Sequence, residues 1–202
     1  EVLVLLNNDI EIIESEWLTE LVAHAMSPEI GAVGARLYYA DDHVQHDGII
    51  IGIGGVAGYA HPRLRRDITA AFGGSRLVRN FSAVTAAALA VRRSVFLEVN
   101  GLDEINLKVA FNDVDFCLRV AEAGYRNVFT PYCELYHHES LSRGPDIGSK
   151  KSTRFEQEVL YMKKRWPDLI SRDPYYNPNL SLRHGYSIDL TRGWVWPWDR
   201  DD

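Results

Sequence analysis

Three short polar motifs in this chain carry residue types that can do chemistry: Asn7-Asn8-Asp9, Asn112-Asp113-Val114-Asp115 and His137-His138. Carboxylates and imidazoles together make a mixed oxygen and nitrogen donor set. Mg²⁺ and Mn²⁺ are often held by only one or two carboxylates, with substrate phosphates completing the shell, and imidazole suits Mn²⁺ as a further ligand. A carboxylate left free of the metal can act as a general base if it is fixed and within reach of the proton it removes. Metal plus base is a combination for group transfer from a charged donor. Each motif also has a plainer role. Asp9 suits a turn or a helix cap, one of Asp113 and Asp115 suits a helix N-terminus, and a lone surface histidine needs no ligand.

The elements around these motifs must bring them together. Val2-Leu3-Val4-Leu5-Leu6 is a continuous apolar run, predicted to be a strand covered on both faces in a parallel sheet. Asp9 follows its carboxyl end, where open α/β sheets place their ligands. The clearest helix is predicted over 113–124, with Val114, Cys117, Leu118 and Ala121 on one face and Gly124 as its stop. Two helical residues diverge by roughly 200°, so Asp113 and Asp115 cannot both look the same way. Asp113, the first residue of the helix, is the candidate base. A strand is predicted over 126–130, ending at Pro131, and Leu135-Tyr136 leads into His137-His138. The loop 139–152 that follows, with Ser140, Ser142 and Arg143, is placed to close over a phosphate.

The remaining elements read as a frame. Trp17, Leu18, Leu21, Val22 and Ala25 mark a helix stopped by Ser27-Pro28, and strands are predicted over 32–39 and 49–53 with a turn at Asp41-Asp42. Gly52-Ile53-Gly54-Gly55-Val56-Ala57 matches G-x-G-x-x-A only superficially, because no helix follows. Residues 61–74, with Arg63, Arg65 and Arg66, read as a charged connecting loop, and 78–91 as strand material passing into small residues. A short helix starts at Ser94 and closes at Gly101. Phe155, Val159, Met162 and Trp166 mark an amphipathic helix whose basic end, Lys163 to Arg165, complements the helix dipole.

Bulk properties bound the reading. At 202 residues, with 46% apolar and 25% charged residues, the chain suits one soluble domain with a real core. A net charge of −6 with scattered Lys and Arg argues against nucleic acid as a partner. No stretch reaches the ~18–20 apolar residues of a membrane span. Cys117 and Cys133 lie outside any CxxC or zinc-ligand spacing and fit reduced thiols in a reducing cytoplasm. The chain opens on Glu1 and enters an apolar strand at once, so it is expected to be a segment of a longer polypeptide.

Four stretches, in order, resemble the family 2 glycosyltransferases of the GT-A fold, in particular the bacterial enzymes of rhamnosyl, O-antigen and cell-wall glycan assembly. Leu5-Leu6-Asn7-Asn8-Asp9 looks like that family's variant of the DxD motif, and Gly101-Leu102-Asp103-Glu104 like its G-F-D-E. Asn112-Asp113-Val114-Asp115-Phe116-Cys117-Leu118-Arg119 with Gly124-Tyr125 is similar to E-D-x-D-x-C-x-R…G-Y. His137-His138-Glu139-Ser140-Leu141-Ser142 is similar to H-x-x-x-x-S, which favours His137 over His138 as a ligand.

The resemblance implies an α/β fold: a partial GT-A, Rossmann-like mixed sheet flanked by helices, starting at the DxD-bearing strand. Residues 1–166 would form its metal- and acceptor-side part, and 167–202 an aromatic, Pro-rich extension that packs back on the domain or covers a partner surface. It implies that Asp9 and His137 hold Mn²⁺ or Mg²⁺ and that Asp113 deprotonates an acceptor hydroxyl, inverting the anomeric centre. Asn7, Asn8, Asp115, His138, Ser142 and Arg143 would line the donor diphosphate or support the site. The implied partners are a UDP- or dTDP-sugar and a glycan or lipid-linked acceptor. The implied location is the cytoplasm, including the inner face of its membrane. Asn7 and Asn112 stand where acids are common, and Met162-x-x-Arg165-Trp166 lacks the Gln of the processive synthases' Q-x-x-R-W. The strands and helices that grip base and ribose in GT-A domains have no counterpart in the sequence. Two other classes stay open: a truncated, non-catalytic glycan-binding or assembly module, and a metal-dependent phosphohydrolase, which needs more ligands. An open sheet edge at the first strand predicts self-association.

Overall fold

Strand β3 (Ile30–Tyr38) is buried along all nine residues and forms the axis of the sheet, as its apolar sequence requires. In the computed structural model, which describes residues 1–138, 149–183 and 185–191, β3 has neighbours on both sides. On one side lie β8 (Ala88–Arg92) and the short β4 (Val44–His46), both antiparallel to it; on the other runs β9 (Arg126–His137), parallel. β1 (Val2–Leu6) pairs with β8 antiparallel, while β2 (Ile10–Ile12) and β7 (Arg79–Phe81) pair with β9 antiparallel. The result is a mixed sheet in the order β1-β8-β3-β9-β2. β1, β3 and β9 therefore point the same way, and their carboxyl ends meet at one end of the sheet. A hairpin of β5 (Ile49–Ile51) and β6 (Ala57–Tyr59) stands beside it.

Helices cover both faces. α1 (Trp17–Ala25) sets Leu21 and Ala25 against Val33, Ala35, Leu37, Val128 and Leu135. On the opposite face α3 (Asn112–Glu122), α4 (Ser149–Arg165) and α5 (Pro167–Ser171) close a larger core with Phe81, Phe116, Phe129, Met162 and Trp166. α2 (Arg93–Glu98) continues from β8 and adds Val95. α3 lies close on β3: a Cβ at Gly31 would sit 2.1 Å from Val120 Cγ1, so only glycine fits there. Ile170, Tyr176, Leu180 and Leu182 of the C-terminal segment pack on the same core, while Trp194, Trp196 and Trp198 lie outside the described residues.

Several sequence expectations are corrected. Among the described residues β1 is not an interior strand of a parallel sheet but the end of a mixed one, antiparallel to its neighbour β8. Its apolar run still has a reason, since Val2 and Val4 pack on one core and Leu3 and Leu5 on the other. The strand predicted to end at Pro131 runs on to His137. Pro131 is accommodated because the β3–β9 register shifts there: Gly34 pairs with Phe129, but Arg36 pairs with Glu134. The extra residues form a bulge, a place where a missing N–H costs no ladder bond. β6 and α5 had no clear periodic signal, being only three and five residues long. As expected, the Gly52–Ala57 stretch opens no phosphate-binding helix: Gly52 precedes and Gly54 lies within a 3₁₀ turn, both at positive φ.

Asp115 ties the helical layer together. Fully buried, it accepts hydrogen bonds from Arg119 Nε at 2.8 Å and Trp166 Nε1 at 3.0 Å, with Arg165 Nε 3.2 Å away. Arg119 in turn donates to the carbonyls of Val99 and Gly101, fixing the loop after α2. Asp115→Ala leaves Arg119 without its buried counter-charge, and the expected cost is about 3 kcal/mol of unfolding free energy. Urea denaturation measures it, and a loss below about 1 kcal/mol would contradict this role.

Candidate active site

Asn7 continues the β1 ladder by donating its N–H to Ala87 O at 2.9 Å, after which the chain turns through Asn8 and Asp9 into β2. β2 pairs with the end of β9 so that Ile10 lies opposite His137, and His138 N donates to Asp9 O at 3.0 Å. Residues 9 and 137 thus meet through backbone pairing alone. Their side chains also meet: Asp9 Oδ1 lies 3.2 Å from His137 Nε2, and both side chains are about nine-tenths buried (12% and 11% exposed).

The hydrogen bonds around His137 define its protonation pattern. Its Nδ1 lies 2.7 Å from Gln45 Oε1, an oxygen that only accepts, so Nδ1 carries the proton. Its Nε2 lies 3.1 Å from Asn7 Nδ2, which donates, so Nε2 presents a lone pair. Asp9 Oδ1 faces that same lone pair and has no hydrogen-bond partner. Two buried acceptors aimed at one point from opposite ends of the chain are costly unless a cation or proton lies between them. A proton on Nε2 or a bound cation would each satisfy this pair. The donor set, one carboxylate oxygen and one imidazole nitrogen, fits Mn²⁺ or Mg²⁺ completed by phosphate oxygens and water. Among the described residues no group of three or more His, Cys, Asp or Glu is arranged to hold a metal ion.

The second half of the site is the small-residue loop between β7 and β8. Ala86 N donates to Asp113 Oδ2 at 3.1 Å, and Val114 N donates to Asp113 Oδ1 at 2.9 Å. Both oxygens are anchored, yet each keeps a free lone pair. Phe111, just before α3, sits at φ 62°, uncommon for a bulky residue. It sets the angle at which Asn112 and Asp113 enter the helix. Behind the loop, the fully buried His46 donates from Nδ1 to Ala35 O at 2.8 Å and accepts at Nε2 from Thr85 N at 3.2 Å and Gly48 N at 3.3 Å. Burial pushes its pKa down against the opposing pull of Asp47 and Asp113. Its bonds to Ala35, Gly48 and Thr85 place His46 directly behind the small-residue loop.

The structure brings Asn7, Asp9 and His137 into contact and sets Asp113, at the start of α3, against the loop that pairs with Asn7. Asn8 is exposed in the turn. His138 points to the other face of β9, where its Nε2 lies 2.7 Å from Glu11 Oε2 and its ring stacks near Tyr136. Asp115 is buried behind α3 and committed to Arg119, Trp166 and Arg165, so it supports the scaffold and cannot touch a diphosphate. Ser142 and Arg143 lie outside the described residues. Arg63, Arg65 and Arg66 are engaged with Asp41, Asp67 and Glu134. Sequence reasoning missed Gln45 and His46. Polar residues in a three-residue strand give no sign that they are buried.

The Gly101–Glu104 motif forms a separate structure. Asp103 accepts hydrogen bonds from the Ile105 and Asn106 N–H groups, the Asn106 amide and Tyr161 Oη of α4. Glu158 of α4 accepts from Val109 N and Ala110 N, fixing the remainder of the loop leading into α3. A groove of about 720 Å³ runs along residues 99–105 between Phe96 and Arg165, and none of the residues around Asp9 lines it.

Comparisons with known proteins agree with this architecture. The chain superposes on GalNAc-T7 solved with UDP, GalNAc and Mn²⁺, with a TM-score of 0.58 at 13% identity over 84% of this chain and 32% of that one. It also superposes on the mannosyltransferase PcManGT from Pyrobaculum calidifontis in complex with GDP-Man and Mn²⁺, with a TM-score of 0.50 at 15% identity over 82% of this chain and 39% of the other. The fold is that of the GT-A glycosyltransferases. In sequence, the chain is 39% identical over 183 residues to the O-antigen biosynthesis protein RfbC of Myxococcus xanthus (90% of this chain, 14% of the relative). It is 50% identical over 194 residues to the uncharacterized protein y4gI of Sinorhizobium fredii (96% of this chain, 21% of the relative). It is 32% identical over 82 residues to the N-acetylglucosaminyl-diphospho-decaprenol L-rhamnosyltransferase of Mycobacterium tuberculosis (41% of this chain, 26% of the relative). The chain resembles O-antigen and rhamnosyl transferases and spans about a quarter or less of each curated relative's length. No protein-family model matches it.

The Asp103 turn titrates in acid. Partial burial pushes the carboxyl up, but the hydrogen bonds from Asn106, Tyr161 and Ile105 outweigh it and hold the pKa at about 2, below the ordinary 3.8. A depressed folded pKa stabilises fully above the unfolded value and loses that contribution as pH falls towards the folded one. The stability gap between wild type and Asp103→Asn is expected to be largest above pH 4 and to shrink towards pH 2. Denaturation midpoints across that range measure it, and a gap independent of pH would contradict the assignment.

Proposed function

We propose that this chain carries the metal- and acceptor-side part of an inverting glycosyltransferase. It would move a sugar from a nucleotide-diphosphosugar, a UDP- or dTDP-sugar, to a hydroxyl of a glycan or lipid-linked acceptor. The observation that carries the proposal is the unpartnered, buried Asp9 Oδ1 facing the Nε2 lone pair of His137. In this reading Asp9 and His137 would hold Mn²⁺ or Mg²⁺, with Asn7 and Asn8 beside the diphosphate; Ser142 and Arg143, expected there from sequence, lie outside the described residues. A divalent ion bound there would supply positive charge to offset the charge growing on the departing diphosphate.

Asp113 is the proposed base. Its anchored carboxylate takes the proton from the acceptor hydroxyl as that oxygen bonds to the anomeric carbon. The bond from the anomeric carbon to the diphosphate breaks in the same step, its electron pair leaving with the phosphate oxygen. One displacement from the opposite face inverts the centre. The N–H groups of Ala86 and Val114 stabilise the ionised carboxylate and keep its free lone pairs aimed. The relatives' names, an O-antigen biosynthesis protein and a rhamnosyltransferase acting on a decaprenol-linked acceptor, support a surface glycan as the product. No helix among the described residues is long and apolar enough to cross a membrane. The edge of β1 that pairs with no strand among the described residues is proposed to pair with a second strand, and the chain is expected to self-associate as concentration rises, which light scattering reads.

Asp113→Asn keeps the size and one of the two backbone hydrogen bonds and removes the basic carboxylate. Sugar transfer, followed by release of the nucleoside diphosphate with an acceptor present, is expected to fall by about 10²–10⁴-fold. Binding of the donor with Mn²⁺ should stay within about threefold. Transfer at wild-type rates in this variant would remove Asp113 from the role of base.

A further inference from the structure

We propose that Gln45 is a positioning residue: it fixes His137 in the tautomer protonated at Nδ1, so that Nε2 always presents its lone pair beside Asp9. The inference rests on the metal-holding reading of Asp9 and His137. Gln45 lies in β4, within a stretch where every residue from Val44 to Ile51 is buried, and is itself only 1% exposed. Its Oε1 sits 2.7 Å from His137 Nδ1, on the ring edge opposite Asp9. An isolated neutral imidazole places its proton on either nitrogen. Beside a carboxylate the natural choice is Nε2–H donating to Asp9 Oδ1, which would satisfy both groups and block a metal from that nitrogen. The amide oxygen of Gln45 pulls the other way, because it accepts only and would face a bare Nδ1 lone pair if the proton moved. Asn7 adds to the bias by donating to Nε2.

β4 can hold the amide there because its two flanking residues are themselves fixed. Val44 N donates to Leu64 O at 2.7 Å, and His46 is locked by Ala35, Gly48 and Thr85. Outer partners of this kind set the tautomer and direction of a ligating imidazole, and losing one typically costs 10–100-fold in metal affinity. A neutral amide in place of a carboxylate leaves the ring without an extra negative charge. It steers the proton while adding nothing to the charge that the diphosphate must balance.

Nitrogen-15 NMR of the histidine rings, in the whole chain without metal and at a pH where His137 is neutral, reads the tautomer directly. Wild type should show a protonated Nδ1 and a bare Nε2 at His137; an Nε2–H signal there overturns the proposal without any variant. Gln45→Leu removes the acceptor at similar volume and should populate the Nε2–H form. Mn²⁺ affinity in the presence of UDP should fall 10–100-fold. Gln45→Glu restores an acceptor oxygen and should return the wild-type tautomer, with Mn²⁺ affinity within about threefold. An unchanged tautomer in Gln45→Leu, with circular dichroism confirming the fold, also overturns it. If the tautomer shifts but the wild-type chain takes up no Mn²⁺ with UDP, the positioning role stands and the metal reading of the site fails.

Discussion

Three residues of antiparallel ladder, Ile10–Ile12 against Leu135–His137, are the constraint on which the site depends. They place the turn after the first strand beside the end of the last one and choose which histidine faces Asp9. Side chains alternate along a strand, so a slip of one residue would put His138 where His137 now stands. The ladder is short and would slide if nothing else held β9. The parallel pairing of β3 with β9 fixes it, and the bulge around Pro131 absorbs the register shift before the ladder begins. The price of that bulge is a buried strand carrying a proline.

Around this ladder the fold spends small residues where backbone must come close. The segment Ala83 to Ala88 presents peptide groups rather than side chains, and those groups do the organising. Asn7 N donates to Ala87 O, Ala86 N donates to Asp113, and Thr85 N donates to His46. Buried peptide groups need partners, so the loop, the first strand, the α3 terminus and His46 settle one another's positions. Cys117 joins them by pointing its thiol at Val84 O, and burial raises its pKa to about 12, which keeps it protonated and inert. The paired arginines of the 61–77 segment lie beyond this centre. Arg66 bridges to Glu134, and Arg36 bonds to Ser75 O, so their charge secures loops to the sheet.

Much of this was legible in the chain. The helical period of Val114, Cys117 and Leu118 located α3, and the motif order placed Asp9, Asp113 and His137 at one end of a sheet. Other features left no local trace. Nothing in Val44-Gln45-His46 signals burial, because its environment comes from β3, the Thr85 loop and His137, all distant in sequence. Pro131 looked like a strand end because a proline costs one ladder bond, and only the register shift removes that cost. The apolar run of β1 was read as interior, since two-face packing and interior position give the same composition. Asp115 looked like a second site carboxylate, yet its partners Trp166 and Arg165 lie some fifty residues away on another helix. The departure from Q-x-x-R-W also gains a physical reading. Here the Arg-Trp pair grips a buried aspartate, and Met162 fills the core beside it.

Asp9 and His137 are proposed to form a two-ligand metal site whose shell a nucleoside diphosphate would complete. Calorimetric titration of UDP into the chain, with and without Mn²⁺, tests it most directly. The account predicts tight binding only when both are present, with each weak alone, and loss of that coupling in both Asp9→Ala and His137→Ala. UDP binding that is indifferent to Mn²⁺, or coupling that survives both substitutions, would contradict it.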